Sequence, residues 1–220
     1  MKVEKISELT TNRLSVYLRC LELLASEGTK TISSDALAKK FHLNSAQIRK
    51  DLAYFGEFGV RGVGYDVEQL RQTLTKILGL ESEHSVVIIG AGRLGTALAD
   101  YYGFKHSNFT VVALFDTDKK KIGEKIGAAK IPVYDIKQFA EVIENESVDL
   151  AVMTVPEQFA QKVLDQITAA GIKAVLNFAP VPLKTKNEVK LKTVDLTISL
   201  ESLSYFLAHT PEKNGALREN

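Results

Sequence analysis

Apolar positions in the first third of the chain recur at helical spacing. Leu14, Leu18, Leu21 and Ala25 fall at i, i+4, i+7 and i+11, which predicts a helix opened by Thr11 and stopped at Glu27-Gly28. Ser33-Ser34-Asp35 opens a second, shorter helix carrying Leu37 and Phe41, and His42-Leu43-Asn44 makes a tight turn. Asn44 and Gln47 stand at capping-box spacing, so a third helix begins at Ser45 and runs to about Phe55, where Gly56 stops it. Between Phe58 and Tyr65, Gly59, Gly62 and Gly64 alternate with short apolar residues, the pattern of a small β-hairpin with a flexible tip. Asp66 caps a fourth helix with Val67, Leu70, Leu74 and Ile77 as its stripe, and residues 79–85 form a polar break. The domain boundary is placed there, with residues 1–79 on one side and 80–198 on the other.

From Val86 the pattern changes to short apolar runs: Val86-Val87-Ile88-Ile89, Val111-Val112-Ala113-Leu114-Phe115, Leu150-Ala151-Val152-Met153 and Ala174-Val175-Leu176. Such β-branched runs read as strands buried on both faces of a parallel sheet. A further strand is expected over 189–194, and helical patterns lie between the runs over 94–102, 136–144 and 159–170. Strand and helix in alternation predict a doubly wound α/β domain. Leu200, Leu203, Phe206 and Leu207 within 199–210 make an apolar stripe too large for a soluble tail to expose, and the polar tail 211–220 is expected to be disordered.

Composition adds exclusions. The 220 residues are 45% hydrophobic and 25% charged, which rules out a wholly disordered or collagen-like chain. No apolar run reaches the roughly 18 residues that span a bilayer. The first residues lack the apolar core of a secretory signal, and a single cysteine, Cys20, permits no intrachain disulfide. His42, His84, His106 and His209 share no metal-ligand spacing. A cytoplasmic protein is expected, with no membrane and no metal. The net charge of +1 divides into +3 over residues 1–80 and −2 over 81–220. That basic excess hints at a polyanionic partner, although solvated helix faces produce similar ones.

Gly90-Ala91-Gly92-Arg93-Leu94-Gly95 follows the first parallel strand and opens a helix. In a dinucleotide site the first glycine permits the turn, the second admits the pyrophosphate, and the third lets helix and strand pack closely. The helix N-terminus offers unpaired N–H groups to phosphate. Asp116 ends the second strand, where a carboxylate accepts from the adenosine ribose. It favours NAD over NADP, although Lys119, Lys120 and Lys121 stand close by. Thr154-Val155-Pro156 and Asn177-Phe178-Ala179-Pro180 follow later strands on the same sheet edge, where ribose and nicotinamide are expected. The same turn also suits a CoA-binding or nucleotide-free relative. A dehydrogenase would need a substrate domain and a proton donor at the nicotinamide, and neither is evident. The cofactor, NADH or NAD+, then reads as a signal.

Two helices joined by a tight turn and followed by a glycine-bearing hairpin suggest a winged helix-turn-helix. On a helical wheel Ile48, Leu52 and Phe55 face the core. Gln47, Lys50 and Tyr54 face outward, with Ser45 at the first turn and Arg49 on the flank, as a recognition helix requires. Ser33 and Ser34 open the preceding helix, and Arg61-Gly62 at the hairpin tip could enter a minor groove. A solvated amphipathic helix in a small helical cap would look similar.

The run Ser45-Ala46-Gln47-Ile48-Arg49-Lys50-Asp51-Leu52-Ala53-Tyr54-Phe55-Gly56-Glu57-Phe58-Gly59, with Arg61-Gly62-Val63-Gly64-Tyr65, resembles the DNA-binding segment of the Rex redox-sensing repressors. The glycine turn, Asp116, Thr154-Val155-Pro156 and Asn177-Phe178 also fall where that family holds NAD(H), and the likeness runs from Thr11 to Leu207. Ser15 stands where proline is common and Ala179 where threonine is usual, outside the phosphate turn and the recognition face. The resemblance implies no enzyme. It implies a homodimer on palindromic operator DNA that represses genes of NADH reoxidation and fermentation and leaves when NADH binds. It also implies that the helix at 199–210 is exchanged between subunits, and that Arg13, Tyr101 and Asp195 meet across the dimer in the DNA-binding state. Cys20, with no second cysteine, is expected to be a packing residue or an incidental one rather than a thiol sensor.

Overall fold

The computed structural model describes residues 6–60, 62–185 and 188–209; Arg61 and the tail 211–220 lie outside the described residues. The chain divides into two compact units, the first ending at Ser82 and the second beginning at Glu83, three residues beyond the boundary expected from the polar break.

The first unit runs α1 (Glu8–Ser26), β1 (Thr31–Ile32), α2 (Ser34–Phe41), α3 (Ser45–Ala53), β2 (Gly59–Val60), β3 (Gly64–Asp66) and α4 (Val67–Ile77). Ser7, not Thr11, caps α1: its hydroxyl accepts from the Thr10 amide, while the Thr11 hydroxyl donates back to the Glu8 carbonyl. Ser33, Asn44 and Asp66 cap α2, α3 and α4 through the same side-chain-to-amide bond. His42 turns the chain between α2 and α3 in the left-handed conformation, and α3 ends at Ala53, two residues short of Phe55. The three short strands form an antiparallel sheet in the order β1-β3-β2. β1, at two residues, is too short to leave a periodic trace. It is nonetheless fixed, because a Cβ at Gly64 (φ +103°) would lie 2.4 Å from the Ile32 carbonyl oxygen. Leu14, Leu21, Leu37, Ile48, Leu52, Leu70 and Leu74 fill the core, and Cys20 is buried beside them with its thiol pKa pushed up by burial.

The second unit runs β4 (His84–Ile89), α5 (Arg93–Ala99), α6 (Tyr102–His106), β5 (Phe109–Asp116), β6 (Lys125–Ile126), β7 (Ile131–Asp135), a 3-10 turn (Ile136–Gln138), α7 (Phe139–Glu146), β8 (Leu150–Met153), α8 (Glu157–Ala169), β9 (Ala174–Asn177), β10 (Lys190–Thr193) and α9 (Leu196–His209). The sheet order is β10-β9-β8-β4-β5-β7-β6, parallel except for β6. Strand order reverses between β4 and β8, and the crevice beyond their carboxyl ends is the switch point of a doubly wound fold. β7 escapes the run-based reading because Pro132 interrupts it, leaving Ile131 and Val133 as its buried pair. The helix expected over 94–102 breaks into α5 and α6, with the Asp100 carboxylate accepting from the Ala128 amide.

α9 begins three residues before the expected start at 199, and none of its residues is buried. Leu200, Leu203, Phe206 and Leu207 are 59–82% exposed, far more apolar surface than a lone soluble helix presents to water.

A buried carboxylate joins α1 to α3. Asp51 is 4% exposed, and its Oδ2 accepts from Arg13 Nε at 2.6 Å and the Tyr17 hydroxyl at 2.9 Å. Its Oδ1 accepts from Arg13 Nη2 and Gln47 Nε2, both at 2.8 Å. Burial pushes the Asp51 carboxyl up, but Arg13, Gln47 and Tyr17 together bring it below the usual carboxylate range. Tyr17 moves the other way, raised first by its own burial and then by Asp51. A group with a depressed native pKa stabilises the fold above its unfolded pKa of about 4, and that contribution fades as pH falls through the native value. Asp51→Ala would leave a guanidinium and a phenol without their acceptor, so urea melts at pH 7 are expected to show a loss of about 3 kcal/mol. The gap between parent and variant is expected to narrow below about pH 4. A loss that persists undiminished in acid would assign the effect to packing rather than to the ionised carboxylate.

Candidate functional site

The helix-turn-helix face of the first unit is assembled from α2, α3 and the β2–β3 wing. Arg49 Nη1 crosses from α3 to Ser34 Oγ at 2.8 Å and Asp35 Oδ1 at 3.3 Å, fixing the angle between the two helices. Ser45 and Arg49 hold the Asp35 carboxyl below its usual range. Several of the expected contact residues therefore already hold partners within the unit, Arg49 among them. Ser34 is buried against Arg49, Ser45 is half-buried and bonded to Asp35, and Gln47 is half-buried with its amide on Asp51. Polar side chains at a helix crossing acquire internal partners because burial without them is costly. Ser33, Arg49, Lys50 and Tyr54 are exposed, and Gly62 (φ +83°) has open space where a side chain would stand. Arg61, between that glycine and β2, lies outside the described residues.

Asp51 is the residue that sequence reasoning passed over. It stands three residues after Ile48 and four before Phe55, so it borders the apolar stripe of α3. A carboxylate there needs a cation, and Arg13 with Tyr17, spaced i and i+4 on the first helix, could have been matched to it.

In the second unit the glycine turn sits at the switch point. A Cβ on Gly90 (φ +108°) would lie 2.7 Å from the Thr154 carbonyl oxygen, and one on Gly95 would lie 1.9 Å from the Gly90 carbonyl oxygen. Those two glycines are demanded by close packing of β4, β8 and α5. A Cβ on Gly92 would meet nothing within 4 Å, and as the cap of α5 it leaves the first-turn amides without a side-chain acceptor. Thr154 secures the turn by donating its hydroxyl to the Gly90 carbonyl at 2.8 Å. Arg93 and Leu94 are exposed at the start of α5.

A cleft of about 530 Å³ opens beside the turn, walled by Gly90, Gly92, Asp116, Thr117, Lys121, Val155, Pro156 and the first turns of α8. Asp116 sits at its floor with every acceptor position in use: Oδ1 takes the Thr117 and Asp118 amides, and Oδ2 takes the Ala91 amide and Lys121 Nζ, the last two at 2.9 Å. Burial pushes this carboxyl up, but the Asp118 amide, Lys121 and the Thr117 amide bring it below the usual range.

The remaining expected residues lie apart from that cleft. Asn177 is fully buried, and its side chain closes a turn by bonding both the amide and the carbonyl of Ala179, so it shapes the loop rather than offering a polar group. Phe178 is half-buried on the opposite sheet face, packed in the cluster that contains Ala91 and Ala99. Tyr101 is 55% exposed, edge-on to Phe104 at 5.3 Å. Asp195 accepts from the Thr197 amide at 2.8 Å in the first turn of α9, and Arg13 belongs to the Asp51 network. The residues present fit a dinucleotide: open space over Gly92 at the start of α5 for pyrophosphate, a carboxylate for ribose, and an aromatic across the turn. Among the described residues no three His, Cys, Asp or Glu side chains group to hold a metal, and no helix is long and apolar enough to cross a membrane.

Comparison with known proteins follows the same division. Residues 5–53 match the family model "Putative DNA-binding protein N-terminus", and residues 81–181 match that of the CoA binding domain. The chain is 49% identical to the redox-sensing transcriptional repressor Rex of Syntrophomonas wolfei subsp. wolfei, over 94% of this chain and 98% of that protein. It is 46% identical to the Rex of Pelotomaculum thermopropionicum, over 98% and 100%. Among solved structures, it superposes on RSP in complex with β-NAD+ and operator DNA with a TM-score of 0.88 and 40% identity, over 93% of each chain. RSP in complex with β-NADH gives a TM-score of 0.83 and 38% identity, over 93% of this chain and 95% of that one. With both halves of one repressor present in order over nearly the full length, the chain belongs to the Rex family of redox-sensing transcriptional repressors.

Proposed function

We propose that this chain is a transcriptional repressor, and no enzyme, that reads operator DNA through its winged-helix unit and NADH through its doubly wound unit. The observation that carries this is full-length similarity to a Rex-family repressor solved both with NAD+ and operator DNA and with NADH. It works in the cytoplasm as a homodimer on palindromic operators and controls genes of NADH reoxidation and fermentation. The amides around Gly92 and the Asp116 carboxylate hold the pyrophosphate and the adenosine ribose, and Phe178 with Tyr101 bounds the nicotinamide end. Bound NADH supplies the redox signal and undergoes no reaction. A mobility shift on a palindromic operator, repeated with NADH, NAD+ and CoA, tests the reading: release by NADH alone is expected. Release by CoA but not NADH would favour the ligand class of the matched α/β domain family.

Ligand-driven release requires an element that differs between two states. We assign that role to α9, exchanged between subunits and covering its apolar side chains against the partner. Arg13, Tyr101 and Asp195 meet across the dimer in the DNA-bound state and part when reduced nicotinamide is bound. Arg13 also anchors α3 through Asp51, so a pull on its guanidinium is felt at the recognition helix.

Lys50→Ala is expected to weaken operator binding, reduce the salt-dependence slope by about one counterion, and leave NADH affinity unchanged. Unaltered operator affinity would remove α3 from the interface. Asp116→Ala is expected to weaken NADH binding and relax discrimination against NADPH, so that the repressor stays on DNA at NADH concentrations that release the parent. Equal NADH affinity by calorimetry would exclude Asp116 from the site. Deleting residues 199–220 is expected to abolish dimerisation and tight operator binding together. A truncated chain that sediments as a dimer and still releases DNA with NADH would sink the switch while sparing the two-domain assignment.

A further inference from the structure

The ribose carboxylate is already saturated. A carboxylate offers about four acceptor positions, and Asp116 fills them with three backbone amides and one side chain, Lys121. The amides belong to the glycine turn and to the turn that ends β5, and neither can withdraw without undoing its backbone. Lys121 can. Its side chain is about one-third exposed on a flexible stem, and an ammonium leaving a partly solvated ion pair recovers its hydration. An adenosine ribose that donates a hydroxyl to Asp116 therefore competes with this lysine.

The displaced ammonium has a short way to go. Lys121 lines the same cleft as Asp116 and Thr117, so it remains beside the sugar after it lets go. Asp116 alone would make the ribose end of the cleft anionic and repel a 2′-phosphate. With Lys121 five residues along the same turn, the local charge is balanced, and a phosphate on the sugar would meet a cation as well as a carboxylate.

On the reading of the cleft as an NAD(H) site, we propose that Lys121 is a specificity-determining residue: it occupies the ribose position on Asp116 in the free protein and faces the 2′ position once displaced. It thereby costs the protein NADH affinity and moderates its rejection of NADPH. The Lys121–Asp116 contact is thus a placeholder rather than a structural ion pair.

Calorimetric titration of the full-length protein with NADH and with NADPH tests this in the parent, Lys121→Met and Lys121→Arg. Lys121→Met removes the competitor at nearly constant length, so NADH is expected to bind about threefold tighter and NADPH more weakly, raising the NADPH:NADH Kd ratio about tenfold. Lys121→Arg keeps the cation and is expected to hold the ratio within about threefold of the parent. A merely structural lysine would lower both affinities in parallel, so an unchanged ratio in Lys121→Met would overturn the proposal. Parent protein that binds neither dinucleotide would overturn the NAD(H) assignment itself, before any question of Lys121 arises.

Discussion

A carboxylate withdrawn from water must have its acceptor positions filled from within the protein, and both working surfaces of this chain are organised around one that is. Asp51 takes four donors from Arg13, Tyr17 and Gln47, and so fixes how α3 lies on α1. Asp116 takes four from the glycine turn, its own turn and Lys121, and so fixes the floor of the cleft. The two sites differ in what the donors are. Around Asp51 three side chains interlock, and losing one strands the others. Around Asp116 the backbone supplies most of the bonding, so one position can be exchanged while the rest stays in place.

Much of the architecture was legible in the sequence because apolar periodicity is imposed by burial. The stripes at Leu14–Leu18–Leu21 and Leu70–Leu74 and the runs at Val86 and Leu150 appear as α1, α4, β4 and β8. Elements without such a signature escaped: β1 is too short, and Pro132 breaks the run that would have announced β7. The glycine turn after β4 was legible for a related reason, since Gly90 and Gly95 answer steric demands that leave no room for a Cβ. The recognition face was read less well. A helical wheel assigns an angle to each side chain but cannot show that Ser34, Ser45 and Gln47 are claimed by Arg49, Asp35 and Asp51. Those partners come from other helices and carry no periodic mark.

Coupling between the two units is bound by reciprocity. If NADH weakens operator affinity by some factor, the operator must weaken NADH affinity by the same factor. The operator-bound repressor is then a poorer NADH binder than the free one, and the NADH level that vacates an operator depends on how tightly that operator is held. One protein can in this way release a weak operator at a lower NADH level than a strong one.

The position of Cys20 sets what kind of redox information reaches the genes. Enclosed in the first unit's core, with burial pushing its thiol pKa up, it is a poor target for peroxide or a disulfide donor, which react with exposed thiolates. A redox signal read through the nicotinamide cofactor does not depend on that thiol. Because a dinucleotide binds without forming a covalent bond to the chain, the response carries no chemical memory. It needs no reductase to reset it and follows the metabolic state in both directions.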